Sequence, residues 1–481
     1  MTRIEPRILM APMNFADQPM SLVRALRRRG IEAHHVQYSA SGAHALGYRL
    51  DRVAQLRTSD YNAQLEVLRD AIAEGFNIYH FWQRSLVFSP QLDGLTGLDL
   101  PIIKSHGARI FHRFTGFDLR MPTQDRAFNR FSPFHYGYES PFPEQNQLRY
   151  IDMLREYVDQ FFVQDPELQQ FLPEATILPR GLELDRWEPV GVAPTERPLI
   201  VHAPSNSAVK GSREIIKAFE DLKHDGLSFE FKLLDRVPHE EAREWYRRAD
   251  IIVDQINIGA TGVLTLEAWA LGKPCVTYLR PDLFEPFYDT SELPVANGNP
   301  DNIKQVLKSL IKDYEWRREL SHRGRALVEK YHDIEVVAVK YKEILDAHLA
   351  DCPGVNTRTT DLDFFRPHLA ELLASRLPLP LPGSAEPVGK RDRPPRHMGR
   401  LERSLHNFLV RTFEWLVTMQ DRTVQRLLGR SFTGTLLHRL QLRALNGLLS
   451  AQSFGFRAAA SICYRSQKLL TRGANRAAGG D

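Results

Sequence analysis

The chain has 481 residues, of which 43 % are hydrophobic and 25 % charged, with a mean hydropathy of −0.36. This composition excludes a wholly disordered or collagen-like chain, and the length suits two domains with additional segments. No uncharged apolar run approaches the roughly 18–20 residues that span a bilayer, and the N-terminal stretch lacks the pattern of a secretory signal. The 3 cysteines fit neither a disulfide framework nor a zinc site, so we expect a cytoplasmic protein.

The net charge of +4 is unevenly distributed along the chain. Residues 390–481 carry 17 lysines and arginines against 5 acidic residues, whereas residues 1–389 carry 46 against 54. A mildly acidic body therefore precedes a basic tail, which indicates a separate surface-binding role for the tail.

The first part of the chain alternates short apolar strands with amphipathic helices. Strands are predicted at 8–11, 31–38, 78–82, 108–114, 161–165 and 175–181, and helices at 21–30 and between 61 and 75. This alternation is typical of a parallel sheet covered by helices on both faces. We place the first domain at residues 1–180.

The same alternation restarts after residue 180 and defines a second domain at 181–350. Strands are predicted at 198–204, 229–235, 251–256 and 274–279, and helices at 212–226, 239–250, 263–272, 299–313 and 316–331. The fold class is therefore α/β, with two Rossmann-like domains facing a cleft. Ligands of such sheets bind outside the carboxyl ends of the strands.

Six prolines between 378 and 395 indicate an extended linker, placed at 351–397. The segment 398–481 that follows has leucines at helical spacing on one face and arginines on the other, which predicts a basic amphipathic helical tail. Such helices suit an anionic lipid surface, a partner protein, or packing on the chain's own acidic body. Aromatic residues are too few for a nucleic-acid site.

The stretch 254–274 carries the strongest chemical signal. A strand ends at Asp254, a loop with Gly259 and Gly262 follows, and a helix begins near Val263. The free backbone N–H groups between Gly262 and Leu264 would favour a diphosphate. Glu267, about one turn further, is placed to accept hydrogen bonds from a ribose diol. A plain strand-to-helix turn with a solvated glutamate is the alternative.

A second stretch, 202–219, follows the first strand of the second domain. Lys210 is placed to reach a phosphate as a point charge, and Gly211 allows the backbone to come close. A solvated loop lysine is the alternative here.

The Lys-Gly pair and the run G-x-x-G-x-x-x-x-E-A-x-A-x-G-K-P together resemble family-4-type glycosyltransferases of the GT-B fold, over roughly residues 7–350. The resemblance implies that Lys210 grips the diphosphate of a nucleotide-sugar donor and that Glu267 holds its ribose. It also implies a donor site along Gly259, Gly262, Val263 and Leu264, and transfer with retention at the anomeric carbon without a metal or cofactor.

The first domain resembles the acceptor side of the same family. Residues 12–30, which include Asn14, resemble its opening loop and helix, and 112–120 resemble its His-Gly-x-Asp loop. Asp118 is therefore a candidate to orient a hydroxyl, or else caps its own turn. Arg84 and Arg120 are further acceptor-side candidates. The implied acceptor is a glycan or a lipid-linked sugar, which favours work at the inner membrane face.

Three positions depart from the family pattern. Gly259 stands where an acid is usual, Ser205–Ser207 where an arginine is usual, and Thr115 where a histidine is usual. These departures leave open a catalytically impaired binding or scaffold subunit of a glycan-assembly complex. A nucleotide-sugar epimerase would need carboxylates for acid–base work, and no convincing set is found.

Overall fold

The computed structural model describes residues 4–38, 51–54, 61–89, 95–97, 99–235, 237–288, 293–350, 352 and 354–357. It divides into two compact units. The first comprises Met1–Gln55, Gly75–Ser85 and Ile103–Asn356, and the second includes Leu56–Glu74 and Leu86–Ile102. The predicted tail at 398–481 and nearly all of the predicted linker at 351–397 lie outside the described residues.

The strands that precede residue 180 form a seven-stranded parallel sheet and a short hairpin. In chain order they are β1 (Arg7–Ala11), β2 (Glu32–Tyr38), β3 (Arg52–Ala54), β4 (Ile78–Trp82), β5 (Phe88–Ser89), β6 (Leu95–Thr96), β7 (Arg109–Arg113), β8 (Gln160–Val163) and β9 (Thr176–Ile177). The sheet order is β3-β2-β1-β4-β7-β8-β9, and β5 pairs antiparallel with β6. The order reverses between β1 and β4, where ligands of open α/β sheets bind.

The helices described in this part of the chain are α1 (Gln18–Arg28), α2 (Tyr61–Ala73), α3 (Leu100–Ser105), α4 (Pro122–Phe128), α5 (Glu144–Tyr157) and α6 (Pro166–Gln169). Helix α2 and the β5–β6 hairpin belong to the second compact unit. Within that unit the Gln64 amide accepts from the Phe88 backbone N–H and donates to its carbonyl oxygen, at 3.0 and 3.1 Å.

The second sheet has five parallel strands: β10 (Leu199–His202), β11 (Glu230–Leu233), β12 (Ile251–Val253), β13 (Cys275–Thr277) and β14 (Val295–Asn297). Their order is β11-β10-β12-β13-β14, so the reversal lies between β10 and β12. The helices are α7 (Ser207–Lys210), α8 (Ser212–His224), α9 (His239–Arg248), α10 (Val263–Ala270), α11 (Pro281–Phe284), α12 (Ile303–Lys312), α13 (Tyr314–Tyr331) and α14 (Ile334–Leu349).

Buried side chains cover both faces of the second sheet, because successive residues of a strand point to opposite sides. Ile200 packs in one core with residues of α8 and α12, while its neighbour Val201 packs in another with residues of α9 and α10. Continuous apolar strands are typical of a parallel sheet buried on both sides. The predicted α/β class with two doubly wound sheets is thereby confirmed.

Helix α14, the last one in the described part of the chain, packs with the first sheet. Val337 and Tyr341 are buried in the core that holds Ile8 and Phe111 of that sheet, and the Tyr341 hydroxyl lies 2.9 Å from His80 Nδ1. The sequence predicts residues 181–350 as one second domain. In the structure, the apolar face of α14 nevertheless packs in the core of the first sheet.

Candidate functional site

The reversal point of the second sheet brings together two charged groups that are 44 positions apart in sequence. Lys210 ends α7, just beyond β10, and Asp254 follows β12 directly. Because the carboxyl ends of neighbouring parallel strands meet at one edge, the two side chains become adjacent. Lys210 Nζ lies 2.7 Å from Asp254 Oδ1 and donates at 2.7 Å to Gln255 Oε1.

The Asp254 carboxylate is a fully buried anion with its own donors. Thr265 Oγ1 donates to its Oδ2 at 2.6 Å, and the Thr265 backbone N–H does so at 3.2 Å. Burial raises the pKa of Asp254, but the Lys210 ammonium and these hydrogen bonds outweigh burial and hold the pKa below its usual value. The site therefore contains a stable ion pair, and Lys210 carries an internal counter-ion that the sequence analysis did not anticipate.

Two glycines near the ion pair are tightly packed, and Gly262 faces the pair directly. A Cβ on Gly262 would lie 2.2 Å from Asp254 Oδ2 and 3.0 Å from Lys210 Nζ, so a side chain there would displace the ion pair. Gly211 has φ +77°, and a Cβ there would lie 2.4 Å from Ile256 Cγ1. Glycine is required at both positions by the packing.

The N-terminus of α10 opens beside Lys210. The Thr265 N–H is used by Asp254, whereas the N–H groups of Val263 and Leu264 have no hydrogen-bond partner in the described part of the chain. Unused donors at a helix start, next to an ammonium group, form a suitable place for phosphate oxygens.

Glu267 lies one turn into α10 and is nearly buried. Its Oε1 lies 2.8 Å from His239 Nε2, where α9 begins. Burial lowers the pKa of His239, but the hydrogen bond and the charge of Glu267 more than offset it, so the pKa is raised above its ordinary value. The pair is therefore a charge-assisted contact, and sequence reasoning did not single out His239.

Gly259 lies in the loop before α10 with φ +81°, a left-handed conformation that side chains rarely adopt. A Cβ at this position would come within 3.0 Å of Arg280 Cγ, and the Arg280 N–H donates to the Gly259 carbonyl at 3.1 Å. A side chain at residue 259 would therefore be strained and would press against Arg280.

The reversal point of the first sheet holds two of the predicted acceptor-side residues. Asn14 follows β1 and Arg84 follows β4. The Asn14 side chain is buried, and neither Oδ1 nor Nδ2 has a hydrogen-bond partner in the described part of the chain. Unpaired buried amides are costly, and a ligand hydroxyl is one group that could pair with this one.

The backbone around these two residues is strained. Ala16, Asp17 and Gln83 are the non-glycine residues with positive φ among those described, at 49°, 60° and 68°. They lie in the loops that carry Asn14 and Arg84. Such conformations persist where the surrounding structure imposes them, and they cluster at functional sites.

The remaining first-domain candidates are engaged by their own surroundings. Asp118 accepts from the backbone N–H groups of Thr115 at 3.0 Å and Gly116 at 2.6 Å, which is the turn-capping arrangement. Arg120 is buried against Glu167, with Nε 2.9 Å from Oε1. Contacts with a substrate would have to compete with these internal hydrogen bonds, and the substrate-binding roles of both residues stay predictions.

Arg180 is a further cation near the donor loop. It leads out of the first sheet, and its Nη1 donates to Asp165 Oδ2 at 3.3 Å and to the Thr261 carbonyl at 3.2 Å. Thr261 precedes the glycine at the start of α10. Arg213, three residues after Lys210 in the sequence, has a side chain that is 81 % exposed and pairs with its neighbour Glu214.

No group of histidine, cysteine, aspartate or glutamate side chains within the described ranges is arranged to hold a metal ion. Among the same residues, no helix combines the length and apolarity needed to cross a membrane.

In comparisons with known proteins, parts of the chain are similar to glycosyltransferases. Residues 208–343, which contain Lys210 and Glu267, match the family described as "Glycosyl transferase-like". A D-inositol 3-phosphate glycosyltransferase of Frankia alni is 29 % identical over 123 residues, which is 25 % of this chain and 30 % of that protein. The match thus spans less than a third of the relative.

One solved structure shows the fold, and a second is given for comparison. The sucrose-phosphate synthase of Thermosynechococcus elongatus superposes with a TM-score of 0.52 and 14 % identity, over 72 % of this chain and all of the other. A glycosyltransferase of Rickettsia africae gives a TM-score of 0.48 and 14 % identity, over 72 % of this chain and 99 % of the other. The predicted two-sheet α/β fold is therefore shown, and residues 208–343 are similar to the glycosyltransferase-like family.

Proposed function

We propose that the chain transfers a sugar from a nucleoside-diphosphate donor bound at the reversal point of the second sheet. One observation carries the proposal: the Lys210 ammonium, the unused N–H groups at the start of α10 and the Glu267 carboxylate all lie beyond the carboxyl ends of the neighbouring strands β10 and β12. Cations and helix donors suit a diphosphate, and a carboxylate suits the hydroxyls of a ribose.

In the proposed reaction, the bond between the anomeric carbon and the diphosphate oxygen breaks while an acceptor hydroxyl forms the new bond. Negative charge grows on the leaving diphosphate, and Lys210 and the N–H groups of Val263 and Leu264 stabilise it without a metal. A diphosphate oxygen accepts the proton of the attacking hydroxyl, on the face that the leaving group vacates. The configuration at the anomeric carbon is then retained.

Retention also agrees with the state of Asp118. An inverting transfer needs a general base placed across the sugar from the leaving group. Burial raises the pKa of Asp118, but both of its oxygens accept hydrogen bonds from the Thr115 backbone, so the carboxylate is engaged in its own turn.

The acceptor side of the proposal rests on Asn14. Its buried, unpaired amide can both donate to and accept from a sugar hydroxyl, which suits a glycan or a lipid-linked sugar. We further propose that the enzyme acts at the cytoplasmic face of a membrane, bound to anionic lipid through the basic segment 398–481. That segment lies outside the described residues.

A thermal-shift panel of UDP, GDP, ADP, CMP and their sugars tests the donor site. A nucleotide at about 100 times its Kd adds roughly 2.7 kcal/mol to the folded state. We expect one nucleotide to stabilise the protein, and the shift to be much smaller in Glu267→Ala. Glu220→Ala, an exposed glutamate of α8, is the matched control. Stabilisation by none of them would refute the donor proposal.

A second candidate is a binding subunit with a nucleotide site and no turnover. The Lys210–Asp254 ion pair favours it, because a built-in anion at 2.7 Å offsets the charge that a leaving diphosphate requires. Nucleotide binding without product, measured with a range of sugar and lipid-linked acceptors, would support this candidate. Sugar transfer that Lys210→Ala abolishes would exclude it.

A further inference from the structure

The contact between His239 and Glu267 joins α9, which carries no donor-site residue predicted from the sequence, to α10, which carries several. His239 is the first residue of α9, and Glu267 faces it from α10, with 2.8 Å between Nε2 and Oε1. The two side chains are 19 % and 8 % exposed. A charge-assisted hydrogen bond in such surroundings is stronger than one in water.

The imidazole is held in its orientation by packing. The His239 ring meets the ring of Trp187 edge to face, with centroids 6.0 Å apart, and Trp187 is buried. The guanidinium of Arg243 covers the Trp187 ring at 4.8 Å. These contacts hold the histidine in one place, so its Nε2 fixes the position of the Glu267 carboxylate.

The contact with His239 occupies Oε1 of the Glu267 carboxylate and leaves Oε2 available to a ligand. Glu267 Oε2 accepts no hydrogen bond from the described residues, and it is not one of their fully buried atoms that lack a partner. A free glutamate side chain has several rotatable bonds, and ordering them costs binding free energy. Holding Oε1 in advance removes part of that cost for any ligand that binds at Oε2.

We propose that His239 is a positioning residue for the donor nucleotide, which holds Glu267 so that its carboxylate receives the hydroxyls of the ribose. This inference rests on the proposed function. It also predicts which ligands depend on His239 for their affinity: nucleotides with a 2′,3′-diol, and not nucleotides that lack the diol.

The test compares one nucleotide in two forms by titration calorimetry. The ribonucleoside diphosphate that binds best among UDP, GDP and ADP is measured beside its 2′,3′-dideoxy counterpart, with wild type, His239→Ala and His239→Gln. We expect His239→Ala to weaken the ribonucleotide about tenfold, the effect of losing one hydrogen bond to a charged group. The dideoxynucleotide should change less than about twofold by the same reasoning.

Two further variants separate positioning from folding. His239→Gln keeps an N–H donor near the carboxylate, so it should restore most of the ribonucleotide affinity. In a Glu267→Ala background, adding His239→Ala should cost nothing more, because the two residues act as one unit.

Each outcome decides a different statement. If wild type binds none of the nucleotides, the proposed donor site itself fails. If wild type binds but His239→Ala changes neither form, or weakens both equally, the donor site stands and the positioning role is overturned. Loss confined to the diol form, with rescue by glutamine, supports the role.

Discussion

Replacing Lys210 by methionine should destabilise the second domain strongly. Methionine keeps most of the length of the side chain but leaves the Asp254 carboxylate fully buried without its cation. Removing one partner of a buried ion pair costs about 3–5 kcal/mol, because an uncompensated charge remains. For a domain of this size the melting temperature should fall by roughly 10 °C.

The loss should depend on pH in a defined direction. In wild type the folded-state pKa of Asp254 is lowered, so its contribution to stability is present above the unfolded pKa and is lost as pH falls through the folded pKa. In Lys210→Met the pKa should instead rise, because burial acts unopposed and favours the neutral acid. The difference in melting temperature between the two proteins should therefore shrink from neutral pH toward pH 5.

Thermal melts at several pH values, in the absence of nucleotide, provide the assay. Adding Asp254→Asn to Lys210→Met removes the stranded charge and should recover a substantial part of the lost stability. Lys217→Met, at an exposed lysine of α8, is the matched control and should change little. A Lys210→Met protein as stable as wild type, or a double variant with no recovery, would refute the reasoning.

Three other predictions follow from single contacts. Glu267→Gln should lower the pKa of His239 below its ordinary value, because burial then acts without the opposing carboxylate; a histidine titration by NMR that stays unchanged would contradict this. Gly211→Ala should cost about 2 kcal/mol or more, since positive φ and overlap with neighbouring atoms act together, whereas Gly226→Ala, with φ +80° and open space, should cost about 1 kcal/mol in urea unfolding. Equal losses at the two glycines would show that packing is unimportant. Asn14→Ala should leave the melting temperature unchanged or higher, because the buried amide makes no hydrogen bond to lose, while sugar transfer falls. A clear loss of stability would place Asn14 in the scaffold instead.

Local pattern predicted most of the regular structure. The strands at 78–82 and 8–11 were predicted within one residue of β4 and β1 because their apolar runs are bounded by turn residues. Helix α5 and helix α14 were not predicted. Their apolar faces become interpretable only once the sheet that they cover is known, and α14 covers the sheet of the other domain.

The motif around Gly262 and Glu267 also came from the sequence, because a strand, a glycine loop and a helix are contiguous there. Contacts between distant segments did not. Nothing in the order of residues shows that His239 meets Glu267, or that Arg180 donates to the Thr261 carbonyl, 81 positions away. The sheet order sets such pairs, and the pairing of parallel strands is a long-range property.

The sequence by itself determined the alternation of strands and helices, the glycine loop and the presence of a lysine beside it, since each depends on residues close together in the chain. Only the tertiary structure decided what that lysine does. Strands β10 and β12 lie side by side at the reversal of the sheet, which brings Asp254 within 2.7 Å of Lys210. Burial there makes the pair mutually dependent, because neither charge is stable away from water without the other.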